Sequence, residues 1–268
     1  MAKTNEYALI LGVSSGFGEA VARELASRGI NIYGVHMDMG AGKVRAEELK
    51  ASLEQMGVEV KFFNTNAADD NKRKDVINTI KEELSAKNVG LKVVMHSLAF
   101  GSMTYFINKE EPQTMITRKQ IEMTIDVMAN SLVYWTQNLF LADLLKKNSR
   151  IYAMTSIGST RVWKHYGAVS AAKAALESYV RQLAVELAPF GVTVNALLAG
   201  VTDTPAARKI PGIAPMLDTA KHLNPFNENT HVEDIAKALA TLMSEDTYWI
   251  TGQSIQVDGG EGIINIFG

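Results

Sequence analysis

The segment from Tyr7 to Gly29 narrows the choice of fold more than any other stretch of the chain. Tyr7–Leu11 (YALIL) is a short apolar run that stops at Gly12. A run apolar at every position predicts a strand covered on both faces. The turn GVSSGFG follows, with glycines at 12, 16 and 18. EAVARELASRG then predicts a helix that turns Ala20, Val21, Leu25 and Ala26 inward and stops at Gly29. A strand joined to a helix by a glycine-rich turn opens a parallel α/β sheet and is the setting a dinucleotide fingerprint needs. Glycine lets the backbone approach a pyrophosphate, and the start of a helix offers unpaired N–H groups and the positive end of its dipole. Gly12, Ser14, Ser15, Gly16, Phe17 and Gly18 are therefore the expected cradle for NADH or NADPH.

The alternation continues to the end of the chain. Further strands are predicted at Asn31–Val35, Val58–Asn64, Leu91–Ala99, Arg150–Thr155, Val192–Leu198 and Gln253–Val257. Helices are predicted at Ala46–Met56, Asp70–Ala86, Ile121–Leu145, about Tyr166–Ala188, and Val232–Met243. The proline-bearing segment at about 201–230 predicts a mobile lid holding one more helix. No repeat or low-complexity tract interrupts this order. It predicts one domain over residues 1–268, a doubly wound, Rossmann-like parallel α/β sheet of about seven strands with helices on both faces.

In such sheets ligands bind beyond the carboxyl ends of the strands. Ser97 and Ala99 at the end of the fourth strand, Ser156 after the fifth, and Gly200, Val201 and Thr204 after the sixth all fall on that edge with the glycine turn. Asn66 and Ala67 follow the third strand and are expected near the adenine, though Asn66 also reads as an ordinary turn residue. Asp38 stands just past the second strand. A carboxylate there would take ribose hydroxyls and repel a 2′-phosphate, a lean toward NADH. A solvated loop acid fits equally, and Lys43 and Arg45 follow in the same loop.

Composition removes several classes. The chain has 268 residues, 47% of them hydrophobic, enough for one domain with a large core. A net charge of −2 gives no footprint for nucleic acid or an anionic membrane. With no cysteine there is no disulfide framework or thiolate metal site, and no metal is expected. The N-terminal MAKTNEYALILG lacks the apolar core of a signal peptide, and no apolar run reaches 18 residues. A cytoplasmic protein is the expectation.

Thr155–Lys173 (TSIGSTRVWKHYGAVSAAK) holds candidate chemistry: Ser156, Tyr166 and Lys173. Tyr166 and Lys173 stand seven residues apart, almost two helical turns, which puts both on nearly one helix face. A free phenol has a pKa of about 10. A nearby ammonium lowers it, so the pair predicts a proton-donating unit. His96 ends a strand and reads as structural rather than catalytic.

These features resemble the short-chain dehydrogenase/reductase family. The carriers are GVSSGFG, Ser156, Lys173 and the late VDGG, and the likeness spans nearly the whole chain. The resemblance implies that Lys173 binds the nicotinamide ribose hydroxyls. It also implies a homotetramer built through the two long helices. The usual member carries tyrosine four residues before the lysine; here that position is Val169, and the tyrosine lies seven before. That spacing is similar to the enoyl-acyl-carrier-protein reductases. MHSLAFG, IDVMANS with Met128 in place of the common asparagine, and AGVTDTPAA are similar to their segments as well. One departure stands: Ser156 occupies the slot ten residues before Tyr166, where many such reductases carry a second tyrosine. Ser156 also stands thirteen residues before Val169, the spacing of the catalytic serine in ordinary carbonyl reductases.

Chemistry gives the spacing a meaning. In carbonyl reduction, hydride and proton go to adjacent atoms. In enoyl thioester reduction, hydride attacks the β-carbon while charge develops on the thioester oxygen further away. Setting the tyrosine back moves its root about one turn, roughly 5 Å. The leading expectation is an enoyl-thioester reductase of fatty-acid synthesis, its substrate carried on acyl carrier protein or coenzyme A. The rivals are a carbonyl reductase and a nucleotide-binding sensor without turnover. Phe100, Tyr105, Tyr166, Ala199 and the segment Pro205–Leu217 are expected on the substrate wall; ordinary core and lid packing is the other reading for Phe100, Tyr105, Ala199 and that segment. Arg208, Lys209 and Lys221 either meet an acidic carrier or are scattered surface charges.

Overall fold

The computed structural model describes residues 5–264. Residues 1–4, where the N-terminal reading above begins, and 265–268 lie outside them. Among the described residues the strands are β1 (Tyr7–Leu11), β2 (Asn31–His36), β3 (Val60–Asn64), β4 (Leu91–His96), β5 (Leu145–Ser156), β6 (Thr193–Ala199) and β7 (Ser254–Val257). The helices are α1 (Gly16–Ser27), α2 (Ala41–Glu54), α3 (Asp70–Lys87), α4 (Arg118–Ile125), α5 (Ser131–Leu141), α6 (Gly167–Leu187), α7 (Ile213–Leu223) and α8 (Val232–Leu242).

The strands form one sheet in the order β3-β2-β1-β4-β5-β6-β7, and every neighbouring pair is parallel. The winding reverses between β1 and β4, so the switch point lies at their carboxyl ends. There Ser97 N–H donates to the Leu11 carbonyl at 2.9 Å.

Side chains alternate across a strand, and β1 shows the consequence. Tyr7, Leu9 and Leu11 join the core with Ile80 of α3, Trp135 of α5 and Leu176 of α6. Ala8 and Ile10 face the other way, onto Val21 and Leu25 of α1 and Leu239 of α8. Each fully buried Leu or Ile contributes roughly 1.5–3 kcal/mol, which is why an uninterrupted apolar run folds here as a central strand. The apolar stripe of α6, Leu176, Val180, Leu183, Ala184 and Leu187, is buried as its period predicts.

Several boundaries differ from the sequence expectation: α2 begins at Ala41 rather than Ala46, β3 at Val60 rather than Val58, and the largest changes lie around α4, α5 and β4. The long helix expected over Ile121–Leu145 is α4 and α5, joined by a π-helical turn at Asp126–Asn130. It ends at Leu141 because Asp143 adopts φ +60 and turns the chain into β5, which therefore begins at Leu145. The strand expected over Leu91–Ala99 stops at His96, and Ser97–Ala99 leave the sheet. The segment expected as a lid carries α7, and no helix among the described residues is long and apolar enough to cross a membrane.

Candidate active site

A cleft of about 570 Å³ opens along the carboxyl edge of the sheet. The glycine turn forms its floor. Gly12 has φ +89, and a Cβ there would stand 2.5 Å from the Ser97 carbonyl oxygen, so only glycine lets the ends of β1 and β4 meet. Ser14, Ser15, Gly16 and Phe17 line the cleft with it. Ser15 is the N-cap of α1, yet its side chain makes no capping bond. The first N–H groups of α1 are left for a ligand, which fits a dinucleotide pyrophosphate. Gly18 is not on the wall. It sits within α1 under the turn, where a Cβ would fall 2.0 Å from the Gly12 carbonyl oxygen.

Asn66, Ala67, Ser97, Ala99, Gly200, Val201 and Thr204 line the cleft as expected. Ala67 is held there by its carbonyl, which accepts from Trp135 Nε1 at 2.9 Å. Asn66 is also a turn residue, its Oδ1 accepting from Ala68 N–H. Asp38 does not line the cleft. Asn64 grips its backbone N–H and carbonyl, and its carboxylate turns back to His36 Nδ1 at 2.9 Å. The cleft at that end is lined by His36, Met37 and Thr65 instead.

Met154, Thr155 and Ser156 at the end of β5 each meet the region of α6. The Met154 carbonyl accepts from Lys173 Nζ at 2.7 Å. Thr155 Oγ1 donates to Glu177 at 2.6 Å. Ser156 Oγ faces the Tyr166 phenol and tempers its pKa, yet it is buried and makes no hydrogen bond of ordinary geometry. A Cβ on Gly158 would come within 2.7 Å of the Tyr166 ring and 3.2 Å of Ser156 Oγ. Ser156, Tyr166 and Lys173 all line the cleft.

Tyr166 does not sit within the helix. It is the N-cap of α6, with φ −95 and ψ 2. Burial pushes its phenol above the usual value, and the Ser156 hydroxyl only partly offsets this. The expected acidification by Lys173 is overturned: the ammonium is drawn to the Met154 carbonyl and is not among the charges acting on the phenol. Tyr166 is therefore a neutral hydrogen-bond donor near neutrality. Lys173 is itself buried, which lowers it from 10.5 to about 8 while the Glu177 charge pulls it back up. His96 is pushed down to about 3 by burial and by Lys173. Its Nε2 meets Ser131 Oγ at 2.8 Å, and that hydroxyl donates to the Val127 carbonyl across the π turn. The imidazole is a neutral brace, as the strand-end reading expected.

Phe100 and Ala199 lie on the wall, but Tyr105 does not. The Tyr105 ring packs on His165 with centroids 4.1 Å apart. The residues that sequence reasoning missed are mostly apolar. Met103, Met123, Val127 and Met128 line one side, whereas Ile210, Ile213 and Met216, also on the wall, fall in the segment 205–217 that the sequence offers as substrate wall. The π turn accommodates an extra residue in one turn of helix, which brings Val127 and Met128 to the wall together; no sequence signal announced it. Of the three basic residues considered, Lys209 lines the cleft, whereas Arg208 is paired with Asp203 at 2.7 Å.

A doubly wound sheet, an uncapped helix start at the switch point and a tyrosine–lysine cleft define an oxidoreductase of the short-chain type that uses a nicotinamide nucleotide. The chain belongs to the enoyl-(acyl carrier protein) reductase family, whose model matches residues 12–261. It is 31% identical over 195 residues to the NADH-dependent enoyl-[acyl-carrier-protein] reductase of Aquifex aeolicus, covering 72% of this chain and 70% of that one. It is 26% identical to 1-cyclohexenylcarbonyl-CoA reductase of Streptomyces collinus, covering 98% and 89%. The crystal structure of the enoyl-[acyl-carrier-protein] reductase (NADH) from Aquifex aeolicus VF5 superposes with a TM-score of 0.81 at 26% identity, covering 98% of both chains.

Proposed function

We propose that this protein reduces the 2,3 double bond of an enoyl thioester with NADH or NADPH. The observation that carries the reading is the position of Tyr166. It stands on the cleft at the N-cap of α6, while the site four residues before Lys173 is the buried, protonless Val169. A donor set back in this way reaches an oxygen remote from the carbon that takes the hydride. The methionine-lined wall beyond it supports an acyl substrate, since methionine side chains adapt to varied apolar shapes.

The reduced nicotinamide, when bound, supplies the hydride to the β-carbon. Tyr166 donates a hydrogen bond to the thioester oxygen as negative charge develops there. Its raised pKa keeps that proton in place before the substrate arrives. Ser156 Oγ, which faces the phenol and makes no hydrogen bond of ordinary geometry, is a second donor to the same oxygen. The α-carbon of the resulting enolate then takes a proton from water, which completes the reduction. Lys173 holds the ribose hydroxyls and keeps the site electropositive. The segment at about 201–230 closes over the acyl group, and the acyl carrier is acyl carrier protein or coenzyme A.

The same Ser156 favours a second reading, reduction of a ketone with the serine as oxygen donor. Following NADH and NADPH oxidation with crotonyl and acetoacetyl thioesters separates the two. Oxidation with crotonyl thioester is expected. Oxidation with acetoacetyl thioester alone would replace the first reading by the second.

A further inference from the structure

Tyr166 is bracketed by His165 and Gly167, and both neighbours are gripped by one loop. His165 has φ +70, the left-handed region that side-chain-bearing residues rarely adopt. Against it lies the Tyr105 ring, centroids 4.1 Å apart, with Lys164 Nζ 5.6 Å from the centre of that ring. The next loop residue, Phe106, fills the space left by the absent side chain of Gly167; a Cβ there would stand 2.7 Å from the ring. Two consecutive aromatics thus hold the residues before and after the proton donor.

The loop that carries them is anchored on its own account. Ser102 N–H donates to Thr124 Oγ1 on α4 at 3.0 Å. Ile116 N–H donates to the Tyr105 carbonyl at 2.8 Å, and Asn108 donates to Thr114 Oγ1 at 3.0 Å. Tyr166 needs such support because it precedes the body of α6. Its N–H meets the Trp163 carbonyl at 3.2 Å and its carbonyl accepts from Ser170. The backbone that leads into Tyr166 passes through the left-handed conformation at 165, against which a ring from elsewhere in the chain is packed. A shift of about 1 Å in a reacting group can cost on the order of a hundredfold in rate.

We propose that Tyr105 and Phe106 are positioning residues, a clamp that holds the left-handed backbone of His165 and the close approach at Gly167 so that the Tyr166 hydroxyl stays aimed into the cleft. This rests on the assignment of Tyr166 as the hydrogen-bond donor. It does not depend on whether the substrate is an enoyl or a keto thioester.

The test uses the full chain with Tyr105→Ala, Tyr105→Phe, His165→Gly and the double variant Tyr105→Ala/His165→Gly. Amide hydrogen exchange at residues 165–167 is read without cofactor. Nucleotide affinity is read by NADH fluorescence, and kcat and KM with whichever thioester is turned over. Tyr105→Ala is expected to speed exchange there roughly tenfold and to lower kcat about tenfold or more, with KM and NADH affinity little changed. Tyr105→Phe keeps the ring and should restore parental values. With glycine at 165 the left-handed backbone is unstrained, so adding Tyr105→Ala should then cost less than it does in the parent. Unchanged exchange in Tyr105→Ala, failure of Tyr105→Phe to restore it, or a loss seen equally in NADH affinity would overturn the clamp. If neither thioester is oxidised, the proposed function fails, while the exchange measurement still decides the clamp.

Discussion

Thr155 on β5 donates its hydroxyl to the Glu177 carboxylate of α6 at 2.6 Å, fixing a negative charge one helical turn beyond Lys173. Residues four apart share a helix face, and this charge raises the proton affinity that burial has lowered. With Lys173 near 8, NADH affinity should fall as pH rises through about 8. Glu177→Gln should move that midpoint to lower pH. NADH titration across the neutral and alkaline range reads it, and an unmoved midpoint would show that Glu177 does not tune the lysine.

The same lysine sets a stability slope. Between about 8 and 10.5 the unfolded chain binds the Lys173 proton more tightly than the folded one, so unfolding free energy rises with pH across that window. Lys173→Met should flatten this slope in denaturant titrations and should weaken NADH binding. A slope that survives the substitution would assign it to other groups.

Tyr166→Phe should lower kcat at least about tenfold, against a usual contribution of about a hundredfold at the low end for a positioned proton donor, and leave NADH affinity nearly unchanged. Because burial holds the phenol protonated, the parent should show no loss of rate from Tyr166 ionisation near neutrality. Gly158→Ala should act on the same group by displacing the ring it touches, lowering kcat while NADH still binds. Full turnover in Tyr166→Phe would remove its assigned role.

His96 contributes to acid sensitivity. Its imidazole stays neutral in the folded chain down to about 3, whereas an unfolded histidine takes a proton near 6.5. Stability should therefore fall as pH drops through that window. His96→Asn, which retains a donor toward Ser131, should shift acid unfolding to lower pH. An unchanged acid midpoint would mean that other groups govern the transition.

Asp38→Ala should leave the ratio of NADH to NADPH affinity within about threefold of the parent, because the carboxylate is engaged with His36 rather than facing the cleft. Paired titrations with the two nucleotides check this. A large swing toward NADPH would restore Asp38 as a reader of the ribose.

The sequence by itself determined whatever depends on neighbours along the chain. Five apolar residues ending at Gly12 made β1. The stripe on α6 followed from its helical period, and the sequence placed Ser156, Tyr166 and Lys173 in one segment at the end of β5 and start of α6, where all three line the cleft. Only the tertiary structure decided what depends on distant packing. Tyr105 and His165 meet across sixty positions of chain, and Asn64 of another strand holds the Asp38 backbone. The phenol of Tyr166 rises rather than falls because its titration follows desolvation, a quantity set by every element that closes around it.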